Sequence, residues 1–160
     1  MSHPSLGLPP RSLDAGFPAA AERIRANRSR LASRALEAAV DADPTLRARH
    51  DDAALRNLLR DAEVLVDRLA LCIAGGDDYW LSDFADQTAV VFRRREVPLA
   101  DVARICDGLK AAARSVLTEA EMTRATSALD AAAAVLRRTK GLAGDAGKQN
   151  RLARALYKGI

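Results

Sequence analysis

The chain has 160 residues, with 25 Lys and Arg against 21 Asp and Glu, a formal charge of +4 and 49% hydrophobic residues. That length suits one domain with a core of its own, and basic residues interleaved with nearly as many acids do not imply a nucleic-acid partner. No apolar stretch approaches the roughly 18–20 residues that span a bilayer, and the N-terminus lacks the basic region and apolar run of a secretory signal.

Residues 1–17 hold three of the six prolines and two glycines, which predicts a disordered leader. Pro18 opens a helix, and Ile24, Leu31, Ala35, Leu36, Ala39 and Val40 recur at three or four residues beside a basic face of Arg23, Arg25, Arg28, Arg30 and Arg34. Pro44 ends or kinks that helix. The stripe from Leu55 to Ile73 makes a second one, stopped by Gly75-Gly76. Asp77-Asp78 supplies the cap of a third, which runs to Arg93-Arg94-Arg95. Val97-Pro98-Leu99 reopens a fourth helix through Val102, Ile105, Cys106, Leu109 and Val116. Thr118-Glu119-Ala120-Glu121 has the spacing of a capping box and starts a fifth. Nothing alternates with the period of a strand. The expected fold is all-α, a compact antiparallel bundle of about five helices over 18–140, followed by a Gly-rich hinge and a basic amphipathic tail at 141–160.

Catalytic and metal chemistry are missing from this pattern. His3 falls in the leader and His50 precedes the second helix, so the histidines build neither a metal site nor a nucleophile–base couple. Glu63 and Asp67, and Asp83 and Gln87, are spaced i,i+4 on faces that read as solvated. The glycines at 141, 144 and 147 follow no strand and precede no Gly-Lys-Ser/Thr, so they do not form a phosphate loop. Cys72 and Cys106 both fall on apolar faces, as reduced core thiols of a cytoplasmic protein. No catalytic residue, metal or cofactor is expected.

Recognition is left to two places. Four of the six aromatics, Tyr79, Trp80, Phe84 and Phe92, fall within fourteen positions. Phe84 and Phe92 share a core stripe, while Trp80 at the helix start can serve a ligand or simply anchor the Gly75-Gly76 corner. A pocket lined by Trp80, Phe84, Phe92, Ile105 and Leu109 would take an apolar small molecule. The tail presents Arg151, Leu152, Arg154, Leu156, Tyr157 and Lys158. It can dock on its own bundle, on a partner groove or weakly on an anionic membrane. Arg93–Arg95 suits the negative end of a helix dipole better than a nucleic-acid contact.

The middle of the chain, about Ala53 to Leu136, resembles the N-terminal sensor-like domains of the stressosome RsbR proteins (the RsbT co-antagonist class). The features are an apolar helix ending in Ala74-Gly75-Gly76-Asp77, then Tyr79 to Phe92, then Arg94-Arg95-Glu96-Val97-Pro98-Leu99. The resemblance implies a globin-like bundle without haem that works through protein–protein contacts. The expected function is therefore a non-enzymatic cytoplasmic regulator, sensor or adaptor with a protein partner and a homodimeric state. The alternative is a small-molecule-binding bundle with an apolar, aromatic-lined pocket.

Overall fold

The computed structural model of the protein describes the backbone of residues 16–157 and the side chains of residues 16–139. Among the described residues seven helices follow one another: α1 (Pro18–Ala26), α2 (Arg28–Ala42), α3 (Thr45–Arg49), α4 (Asp52–Gly75), α5 (Tyr79–Arg94), α6 (Leu99–Ala113) and α7 (Glu119–Tyr157). There is no strand among the described residues. The all-α bundle is as expected. The count exceeds five because α1 and α2 are separate helices and the stretch after Pro44 forms a short one.

The break between α1 and α2 is at Asn27, whose φ of −111° and ψ of 16° are not helical. Its side-chain amide donates back to the Arg23 carbonyl, 2.8 Å away. An asparagine that bonds its own backbone gives the chain an alternative to continuing the helix. The apolar period runs straight across this position, so periodicity alone does not reveal the break.

α4 is the central element and packs against α1, α2 and α5, while α6 is clasped between α2 and α7. Its N-terminus is capped by Asp51, which accepts from the Ala54 N–H at 2.8 Å. Gly76 ends it with φ of 69°, the left-handed conformation that glycine adopts without penalty. α2 and α6 approach closely because Gly108 lies against α2. A Cβ built there would stand 2.2 Å from the Ala35 carbonyl oxygen. The capping box at α7 forms as expected: the Thr118 N–H donates to Glu121 Oε2 at 2.8 Å, and the Glu121 N–H reaches Thr118 Oγ1 at 3.4 Å.

Residues 1–15 of the expected leader lie outside the described residues. Its last residue is part of the fold. Phe17 packs against the core and its N–H donates to the Ile73 carbonyl at 2.8 Å.

Candidate functional site

Of the five residues assigned to an aromatic pocket, Phe92, Ile105 and Leu109 are buried at 2%, 0% and 0% exposure, so they are core. Phe84 is half-buried against that core, and Trp80 is 37% exposed. Trp80 is held from the side by Tyr79, whose ring meets it edge-on at 5.4 Å, and Arg68 lies 6.0 Å from its ring centre. The six tail residues, Arg151, Leu152, Arg154, Leu156, Tyr157 and Lys158, lie outside the described side chains.

A concave site lies elsewhere among the described residues. A cleft of about 500 Å³ opens between α2, α3 and α4 and is lined by Ser33, Leu36, Glu37, Val40, Asp41, Arg47, Leu55 and Leu59. None of the five aromatic-pocket residues lines it. Its volume falls within the ~300–1,000 Å³ of small-molecule sites, and its lining divides evenly between an apolar floor of Leu36, Val40, Leu55 and Leu59 and the polar Ser33, Glu37, Asp41 and Arg47. Leu36 and Val40 on α2, and Leu55 and Leu59 on α4, are each one turn apart and half-buried. They sit beside the fully buried Ala35, Ala39 and Leu58. The apolar faces of α2 and α4 are therefore wider than the seam between them needs, and the surplus becomes the cleft floor. Glu37, Asp41 and Arg47 are exposed at its rim, and among the described residues none of the three makes an ion pair.

The wall that carries Arg47 is short and is held by polar contacts. At five residues α3 is far below the length at which a helix stands alone. Leu46 anchors it in the core. Arg49 pairs with Asp43 at 3.0 Å and with Asp101 at 2.7 Å. Arg104 reaches the same two acids at 3.2 and 3.1 Å. His50 Nε2 lies 2.9 Å from Asp101 Oδ2. An ionised carboxylate only accepts, so Nε2 carries the hydrogen. The Thr45 hydroxyl and Arg49 hold the Asp43 carboxyl down at about 2.

Most of the remaining charged pairs join helices, and Arg25–Glu22 lies within α1. Glu63 and Asp67, expected on a solvated face, both receive Arg28, at 3.0 and 2.9 Å. Arg23 pairs with Glu121 of the capping box, which lowers that carboxyl. Part of the basic face of α1 and α2 is thus neutralised within the chain. Asp78 leaves the cap of α5 to Asp77, whose Oδ1 accepts from the Tyr79 N–H at 3.1 Å, and instead pairs with Arg124 of α7.

No group of three or more metal-binding side chains occurs among the described residues. No described helix is long and apolar enough to cross a membrane. Both cysteines are fully buried, and neither lines the cleft. Burial raises the Cys72 thiol and pushes Cys106 up to about 12, so neither is a nucleophile at neutral pH.

The sequence model of the phycobilisome protein family matches residues 18–136, from the first residue of α1 into α7. No curated protein matches the chain. The family match overturns the resemblance to RsbR-type sensor domains, and with it the regulatory, sensor and adaptor reading. That resemblance rested on helix periodicity and one Val-Pro-Leu turn over about half the chain, features that any bundle with this corner shares. The match takes in the whole run of helices α1 to α6 and the start of α7: the chain belongs to the phycobilisome protein family, whose members are globin-like and all-α.

Proposed function

We propose that the chain is a non-enzymatic, light-harvesting type of subunit that holds a pigment-sized small molecule in the α2–α3–α4 cleft and assembles with other protein subunits in the cytoplasm. The observation that carries this reading is the family match across residues 18–136, since phycobilisome proteins are light-harvesting, pigment-binding proteins that assemble with other subunits. The cleft supports it by size and lining. Leu36, Val40, Leu55 and Leu59 offer an apolar bed, and Arg47 offers a cation for an acidic group of the ligand. Two buried thiols, both raised, leave no cysteine to attach a ligand covalently. The ligand is therefore held without a covalent bond, by the apolar floor and by Arg47, with Ser33, Glu37 and Asp41 as the other polar groups of the lining. The reading keeps the small-molecule alternative drawn from sequence and moves it from the aromatic helix to the cleft.

Titration of the purified chain with anilinonaphthalene sulfonate, an apolar dye with one negative charge, tests the cleft. Saturable fluorescence enhancement that is lost in Val40→Phe and weakened in Arg47→Ala is expected. Enhancement indifferent to both substitutions overturns the assignment of the cleft.

A further inference from the structure

The exposed large apolar side chains among the described residues are Tyr79, Trp80, Val90 and Val91, and all four belong to α5. They are joined by charges that are sorted along the helix. At 100° per residue, Tyr79, Asp83, Asp86, Gln87, Val90, Arg93 and Arg94 form one outward stripe, acidic in its middle and basic at its C-terminal end. Asp86, Arg93 and Arg94 are exposed, and none makes an ion pair among the described residues. Asp86 and Arg93 are seven residues apart, about 10 Å along the axis, too far to pair on their own helix.

The stripe is complementary to itself. Asp86 and Arg93 lie four residues before and three after Val90 on one flank of it, and Gln87 and Arg94 lie three before and four after it on the other flank. A two-fold axis that runs between two antiparallel α5 helices at Val90 keeps each flank against the same flank of the partner. It sets Val90 against Val90, Asp86 of each chain opposite Arg93 of the other, and Gln87 opposite Arg94. An isologous interface has this form, in which residue i meets j and j meets i. Asp83 reinforces the arrangement by accepting from Gln87 Nε2 at 3.0 Å on its own helix, which fixes the amide on the stripe.

We infer that α5 is a self-association surface whose occupant is the α5 of a second copy of this chain, with Val90 at the centre and two Asp86–Arg93 pairs flanking it. This deepens the assembly half of the function proposed above and is independent of the cleft. Apolar contact at the centre supplies affinity, and the paired charges fix the antiparallel register.

Sedimentation equilibrium of the full-length chain tests it. The expected result is a monomer–dimer equilibrium whose dissociation constant rises at least about tenfold in Asp86→Arg and in Arg93→Asp, each of which sets like charges face to face. The double variant Asp86→Arg/Arg93→Asp restores the pairs with reversed sign and recovers the dimer. Both sites are exposed, and circular dichroism checks that each variant keeps its helix content. A monomer at every concentration, a dimer indifferent to the single reversals, or a double variant no better than the singles overturns the inference. Dye binding in the cleft is measured on the same samples, so loss of self-association with binding intact separates the two proposals.

Discussion

His50 and Asp101 meet at 2.9 Å across 51 residues of sequence, and both are buried, with side-chain exposures of 6% and 1%. The contact ties the end of α3 to the first turn of α6. Asp101 is the shared acceptor of His50, Arg49 and Arg104, so one buried carboxylate fixes the corner that places Arg47 beside the cleft.

Asp101→Asn removes the charge that three donors share. Breaking a buried pair from one side typically costs about 3–5 kcal/mol. A loss of about 3 kcal/mol in chemical denaturation is expected, with weaker dye binding in the cleft. His50→Gln, which removes one donor and leaves both arginines, should cost about 1 kcal/mol. Equal losses for the two would contradict the hub role of Asp101.

Gly108→Ala puts a methyl group 2.2 Å from the Ala35 carbonyl oxygen. The obstacle is backbone, so α2 and α6 must move apart. A cost of about 2–3 kcal/mol, read as a lower thermal midpoint, is expected even though alanine is the better helix former.

Much of this architecture is legible in the chain. The stripe from Leu58 to Ile73, the stop at Gly76, the capping box at Thr118 and the Val97-Pro98-Leu99 corner are local signals, and each sits where its chemistry puts it. The break at Asn27 is hidden by an apolar period that continues across it. The core place of Phe92 follows from the stripe it shares with Phe84, while Trp80 at the helix start lies at the surface. The cleft had a signal of a different kind. Neighbouring apolar pairs such as Ala35-Leu36, Ala39-Val40 and Leu58-Leu59 widen a helix face beyond one seam. Which half of each pair stays uncovered depends on how α2 and α4 cross and on where α3 sits, and those are long-range facts. The burial of His50 is equally non-local, because its partner is 51 residues away.

Acid should destabilise the fold through Asp43 and Glu121. Asp43 titrates at about 2 instead of 3.8, and Glu121 is also lowered, chiefly by Arg23. A carboxyl lowered in the folded state stabilises the fold above its unfolded-state value, and that stabilisation is lost as pH falls through the folded one. The thermal midpoint should therefore drop as pH falls from 3.8 toward about 2. The double variant Asp43→Asn/Glu121→Gln should begin less stable and lose less over that range. An unchanged slope would show that these two carboxyls do not set the acid response.

Cys72 and Cys106 should resist iodoacetamide at neutral pH, because both thiols are buried and raised. Intact-mass analysis should find unmodified chain under native conditions and two adducts after denaturation. Rapid native labelling of either thiol would contradict the burial and would reopen covalent attachment of a ligand.

The most direct test of the central claim is the visible absorption of the full-length chain purified natively from its host, followed by denaturation, solvent extraction and intact-mass measurement of the protein. A visible band that accompanies the folded chain, passes into the solvent on denaturation and leaves the chain at its unmodified mass is the predicted result. It should weaken in Val40→Phe purified the same way. A colourless protein, or a pigment that stays on the denatured chain, would contradict a pigment held non-covalently in the α2–α3–α4 cleft.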